Sequence, residues 1–433
     1  MNKWIVILIL LILTACKDEV EESYFTSEKA LYYFRQIEAV CNEDNGKLWG
    51  RNLYGPLMFV DRTTRRIVAN EPDKEGLLKQ KDGIYTGSYP KELIINNTAV
   101  TYGGKLFGMA PLPNEDDEYR IISRGLHCLF HRFQNTINYN FSGNNTPNME
   151  ERRARIWLKL EWSALRKAIE SEGEAQRVAL RDALIFREAN HELYQLFVPD
   201  EIRFENYEGL ATFTSIKLAA KSREEFNNRL MENLDRIYSY LSYSRSYGSI
   251  HGALYATLLD LKGFNFKEIT SENIDLGSLV MELYDIKLPE ICRDVAGSLS
   301  LNYDIDKIYK EENQREEEIQ EYINKQLSTF VEKPVVYIEL ESPYFDFEPE
   351  DIQPLGPEGT LYKQIRISDN WGKLTVDRRG EGCLISNNFK FLRVPAKGYN
   401  VSKNHIEGDG WDLILNNGWE ILSVDENYFL RKL

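Results

Sequence analysis

Leu126-His127-Cys128-Leu129-Phe130-His131-Arg132 is the stretch on which the reading of this chain turns, and it holds two of the five histidines in 433 residues. Its surroundings are helical in pattern, and four residues apart on a helix two side chains stand on one face, one turn above the other. Both imidazoles can then reach a single metal ion, provided a third ligand arrives from another element. Working outward, the helical periodicity runs from residue 119 to about 327, with long amphipathic stretches at 150–171, 174–198, 201–221 and 223–242. Before it, Ser27 and the apolar positions up to Ile37 open a helix. Strand-like tracts follow at 57–60, 66–69, 93–95 and 99–102, punctuated by Gly83, Gly87, Pro90 and Gly103-Gly104. After Lys333 short alternating tracts return, at 335–340, 364–367 and 411–415. The fold class read from this order is α+β: a mixed, β-rich segment over 26–118, a mostly helical core over 119–332 and a C-terminal β domain over 333–433.

A second tract, Asn206-Tyr207-Glu208-Gly209-Leu210-Ala211-Thr212-Phe213, gives the histidine pair a context. Together they resemble the gluzincin aminopeptidases, which carry His-Glu-x-x-His on one helix and their third, carboxylate ligand in an Asn-Glu-Gly-x-Ala helix. The resemblance implies zinc held by His127, His131 and Glu208. It extends over most of the chain to a bacterial family of zincin-like proteins with a helix-rich core and a β tail. The tracts that carry it include 53–61, 97–99, 160–165, 258–260, Asn370-Trp371-Gly372 and Gly408-Asp409-Gly410-Trp411. In gluzincins the strand before the metal helix lines the cleft and pairs with extended substrate. By that likeness Asn97, Thr98, Ala99, Gly103 and Gly104 would belong to the substrate edge here, and a peptide or protein is the expected ligand.

One departure decides what the site can do. Where the family pattern has glutamate after the first histidine, this chain has Cys128. In a zinc peptidase that carboxylate takes the proton from a metal-bound water and passes it to the leaving amine. A thiol is shorter, lacks a second oxygen to hold the water, and with a reference pKa of about 8.5 is mostly protonated near neutrality. Loss of a general base costs about 10² to 10⁴ in rate, so the expectation is a degenerate peptidase that binds peptide, protein or metal. The alternatives are a working metallopeptidase with a different base, and a surface module of a glycan or protein uptake system. Thr212 departs as well, at a position where the family tends to be acidic.

Each candidate has a plainer reading. The histidine pair could be two hydrogen-bonded core residues, and Cys128 a small buried hydrophobe. His191-Glu192-Leu193-Tyr194-Gln195 imitates the metal helix but ends in Gln, a poor zinc ligand, and reads as an ordinary helix face. His251 reads as a turn or cap residue, with oxyanion donation as the alternative. Trp371, Trp411 and Trp419 read as core residues at strand ends, with sugar stacking as the alternative.

At the N-terminus Lys3 precedes an apolar run over residues 4–13, then Thr14, Ala15 and Cys16. That is the layout of a secretory signal over residues 1–15. A helix of that run spans about 15 Å, half the hydrocarbon thickness of a bilayer, so it cannot be the anchor. Leu13-Thr14-Ala15-Cys16 resembles the lipobox of bacterial lipoproteins, which implies acylation of Cys16 and a mature chain held on a membrane by lipid. The acidic tether over 16–25, with Asp18, Glu19, Glu21 and Glu22, resembles the surface-export signal of Bacteroidetes lipoproteins, implying the outer membrane of the cell envelope; a solvated linker is the alternative. A net charge of -15 leaves no electrostatic footprint for nucleic acid, and 42% apolar content suffices for sizeable cores. Cys41, Cys128, Cys292 and Cys383 show no zinc-finger spacing, and one or two disulfides remain open to a chain outside the cytoplasm. The lipid reading predicts that Cys16→Ser releases the protein from membranes into the soluble fraction on cell fractionation; a variant that stays as firmly membrane-bound as wild type contradicts it.

Overall fold

Helix α1 (Ser27–Asp44) starts where the Thr26 hydroxyl accepts the amide of Lys29, and it buries Tyr33, Phe34 and Ile37 on one face. The computed structural model describes residues 25–90, 93–112, 117–137, 139, 141, 146–347 and 352–433; Cys16, the signal segment and all of the tether but residue 25 lie outside them. After α1 come β1 (Leu57–Val60), β2 (Arg66–Ala69), β3 (Lys79–Lys81), β4 (Ile84–Ser88), β5 (Thr98–Tyr102) and β6 (Lys105–Pro111), which form one sheet in the order β3-β4-β2-β1-β6-β5. The β1–β6 pair is parallel and the other neighbours are antiparallel. The strand alternation sorts this sheet onto two cores. Leu57, Phe59 and Ala110 face the helices, while Met58, Val60, Ile67, Ala69 and Met109 form a separate cluster on the other side.

β5 thus lies at one end of the sheet. A two-residue turn joins it to β6, with Gly103 at φ 51° and Gly104 at φ 71°, the left-handed pair that matches the twist of a tight hairpin. A side chain at Gly103 would also collide with the carboxylate of Asp73, whose oxygens accept the amides of Glu75, Leu77 and Leu78.

The helical layer comprises α2 (Glu118–Thr136), α3 (Arg152–Glu170), α4 (Gly173–His191), α5 (Val198–Phe204), α6 (Leu210–Ala219), α7 (Arg223–Tyr238), α8 (Tyr247–Leu261), α9 (Leu276–Leu283), α10 (Cys292–Leu299) and α11 (Ile305–Leu327). Asp117 caps α2 by accepting the amide of Arg120. α2 lies directly on the sheet, and at Gly108 of β6 an added Cβ would sit 2.9 Å from the backbone of Cys128, so only glycine permits this approach. Beyond α11 two sheets face each other. A seven-stranded sheet runs from Trp419–Val424 to Ile352–Pro354, a six-stranded one from Asn400–Ser402 to Tyr344–Phe347, and their shared core includes Ile338, Leu392, Ile367, Leu374 and Leu413. The fold is α+β.

Several expectations shift. Residues 93–95 form no strand: the guanidinium of Arg65 binds the carbonyls of Pro90 and Leu93, so this backbone is satisfied by a side chain instead of a ladder. Trp371 and Trp411, by contrast, keep the core place read for them, their indole N–H groups donating to the Glu339 and Pro395 carbonyls, which removes the sugar-stacking alternative for both. Cys41, Cys128, Cys292 and Cys383 are free, buried thiols. His251 is no turn or cap residue; it lies inside α8, in the core.

His191 is likewise not an ordinary helix face, for it is buried at the end of α4 with Nε2 3.4 Å from Glu201 and Nδ1 3.7 Å from Glu188. Burial and the nearby Arg187 push its pKa down, but Glu188 and Glu201 outweigh them and lift it from 6.5 to about 9. A raised folded-state value means that protonated His191 stabilises the fold fully below pH 6.5, and that this contribution is lost as pH rises through about 9. Thermal midpoints of the wild type should therefore fall across that window, and the fall should be shallower in His191→Gln. Parallel pH profiles for the two proteins would contradict the assignment.

Candidate metal centre

α2 carries His127 and His131 on the face turned toward the helix that bears Glu208. The two Nε2 atoms lie 3.0 Å apart, and Glu208 Oε2 lies 3.5 Å from His127 Nε2 and 3.6 Å from His131 Nε2. Three ligands at about 2.0–2.1 Å from a tetrahedral zinc sit about 3.3–3.5 Å from one another, so the observed triangle needs shifts of a few tenths of an ångström to close on the ion. The three sequence-predicted ligands are thus brought together, and the donor set is the one zinc favours.

Gln134 braces these ligands. Its Oε1 lies 2.8 Å from His131 Nδ1, while its Nε2 donates to the backbone carbonyls of Asn206 and Tyr207 at 3.3 and 3.1 Å. An amide oxygen only accepts, so His131 donates to it from Nδ1, and Nε2 is the ring nitrogen turned toward His127 and Glu208. The same amide fixes the backbone that bears Glu208 to the helix that bears the histidines. Gln134 was not among the candidate residues; its signal is the spacing His131-x-x-Gln134, one turn on along the same face. Tyr207 stacks on the His131 ring at 4.3 Å, and Phe141 stacks on Tyr207 at 4.8 Å.

Glu208 owes its position to a local irregularity. The helix expected over 201–221 is interrupted by a π turn, Glu205–Gly209, between α5 and α6. One such turn rotates the residues on either side relative to each other, and π turns recur at functional sites. Gly209 lies against α8 so closely that a Cβ there would be 2.4 Å from the Cα of Gly252, which explains the glycine of the Glu-Gly pair. Nothing in the periodicity of the sequence marks this turn.

The electrostatics suit ligands. Burial pushes Glu208 up, but the charge of His131 and the hydrogen bonds from both imidazoles hold its carboxyl well below the usual range. His127 is pushed down, by burial first and by His131 second, against the pull of Glu208. An ionised carboxylate beside an imidazole that resists protonation is the ligand state of both groups.

Cys128 points away from such chemistry. It is fully buried, its Sγ donates to the carbonyl of Met109 at 3.0 Å, and burial pushes its pKa well above that of an ordinary thiol. It therefore keeps its proton and offers neither a base nor a thiolate ligand. Of the edge residues, Asn97 stands exposed at the start of β5, and the Thr98 hydroxyl lies 3.3 Å from the Tyr207 hydroxyl, which ties this end of the strand to the ring stacked on His131. Ala99 pairs with Gly108 opposite. Gly103 and Gly104 belong to the hairpin turn at the other end of β5, where they serve the turn and Asp73. Thr212 follows Glu208 by four residues, in α6, and its carbonyl accepts from Ser215 Oγ.

Comparison with known proteins leaves the chain without a neighbour: no family model, no curated protein and no solved structure matches it. Among the described residues no helix is long and apolar enough to cross a membrane. About one zinc per chain is expected in protein purified without chelator, with loss of that zinc in His127→Ala, His131→Ala and Glu208→Ala, and a 10- to 100-fold weaker affinity in Gln134→Leu. Elemental analysis and competition with a chromophoric chelator read these values. Metal-free protein that also fails to take up zinc, or a Gln134→Leu protein with wild-type affinity, contradicts it.

Proposed function

We infer that this chain is a lipid-anchored envelope protein of zincin type that holds zinc through His127, His131 and Glu208 and binds a peptide or protein segment without hydrolysing it efficiently. The observation that carries the reading is the conjunction at one site: three converging potential ligands, beside a buried, protonated thiol at the position where a peptidase needs a carboxylate. Zinc, when bound there, would polarise a carbonyl or lower the pKa of a coordinated water. The chain's own residues would do the rest. β5 lies at the end of its sheet and offers backbone groups to an extended segment, and Thr98 and Tyr207 place the start of that strand beside the histidines. Cys128, already committed to the Met109 carbonyl, takes no proton from a water. Cys16 would tether the assembly to the outer membrane, so the ligand is met at the cell envelope. Nothing in the net charge of -15 favours nucleic acid as a partner.

The test is a peptide pool presented to zinc-loaded wild type and to Cys128→Glu. Wild type should retain peptides in equilibrium dialysis with little turnover, and Cys128→Glu, with fold and zinc content checked, should raise cleavage by about 10² to 10⁴. Efficient cleavage by wild type, abolished by chelator and by His127→Ala, overturns the reading in favour of a working peptidase with another base.

A further inference from the structure

Beneath the π turn lies a cluster of charged side chains that the proposed function leaves unused. Arg187 of α4 is buried and faces three carboxylates. Its Nη1 and Nη2 donate to the two oxygens of Glu205 at 3.0 and 2.8 Å, Nη2 also reaches Asp275 at 3.0 Å, and Nη1 stands 3.8 Å from Glu161. His251 of α8 accepts the indole N–H of Trp162 on Nδ1 at 2.9 Å, and its Nε2 stands between Nη1 of Arg187, 2.9 Å away, and Glu161, 3.1 Å away. Tyr255 donates to the same Glu161 oxygen at 2.5 Å. Glu161, Arg187, Glu205 and His251 are all at most 2% exposed. Ion groups so deep hold their geometry tightly, because every lone pair that loses its partner there goes unsolvated.

What this cluster grips is the first residue of the π turn. Glu205 begins the segment that ends at Glu208-Gly209, and its carbonyl is packed so closely on α8 that a Cβ at Gly252 would lie 2.2 Å away. The bidentate fork of Arg187 fixes the direction of the Glu205 side chain as well as its charge, which a lysine could not do. On the other side Gln134 holds the carbonyls of Asn206 and Tyr207. The π turn is therefore held from below by Arg187 and from above by Gln134, with Glu208 between.

We propose that Arg187 and Glu205, braced by His251 and Glu161, are positioning residues for the metal ligand Glu208: the buried fork sets the π turn and so aims the carboxylate at the two histidines. This rests on the zinc reading above and goes beyond it by assigning a role to a charged cluster that touches neither metal nor ligand. The test uses the full chain loaded with cobalt(II), whose visible bands report ligand geometry, together with zinc affinity. Glu205→Gln keeps the shape and removes the charge that anchors the fork. It should weaken zinc 10- to 100-fold and shift the cobalt bands, whereas Asp275→Asn, which removes an equal charge from the far side of Arg187, should leave both as in wild type. If circular dichroism shows Glu205→Gln unfolded, Gly252→Ala takes its place, since it displaces the Glu205 carbonyl without altering any charge. A folded variant of either kind with wild-type cobalt bands and zinc affinity overturns the proposal, and so does equal weakening by Asp275→Asn, which would mark general loosening. Wild type that takes up no metal at all defeats the zinc reading before any variant is made, and the positioning role with it.

Discussion

The approach of α2 to the π turn at Glu205–Gly209 is the constraint on which the rest of the site depends. α2 cannot lie elsewhere, because Gly108 lets it settle on β6 at backbone distance, and the turn cannot lie elsewhere, because Gly209 and Gly252 let it settle on α8 in the same way. Between these two close packings Gln134 links helix to turn with one side chain, donating to two carbonyls and accepting from His131. Close-packed backbone is stiff, and that stiffness is what a ligand triangle a few ångströms across needs.

Within that frame the chemistry of the site divides in two. The ligand half suits zinc: Gln134 fixes the His131 ring, Glu208 is held ionised, and His127 is held toward neutrality. Hydrolysis at this site would need a proton acceptor, and Cys128, buried, protonated and spent on the Met109 carbonyl, is none. A metal without a base still polarises and still binds, which is why the proposed role is capture of an extended segment along β5 instead of turnover.

Much of this was legible in the sequence, for a physical reason. The i, i+4 spacing of His127 and His131 can only place them on one helix face, and the short apolar tracts at 57–60, 66–69 and 99–102, once extended, turn successive side chains to opposite sides. The order of helical and alternating tracts gave α+β. Glu208 was found by resemblance to a helix motif, not by any period. What stayed hidden was set by long-range packing. The π turn leaves no trace in periodicity, since one extra residue per turn is a matter of what α8 allows. Residues 93–95 read as a strand, but Arg65, 28 positions before Leu93, takes the Leu93 carbonyl instead of a neighbouring strand. His251 gave no sign of its place in a buried charge network, because its partners Trp162 and Glu161 lie about 90 positions upstream.

The central claim is a zinc ion held by two imidazoles and one carboxylate with no sulfur. X-ray absorption at the zinc edge of the purified protein tests it most directly. The account predicts a first shell of nitrogen and oxygen at about 2.0–2.2 Å with the outer-ring scattering of two histidines. A zinc–sulfur shell at about 2.3 Å would mean that Cys128 is a thiolate ligand and not a buried thiol, and would contradict it.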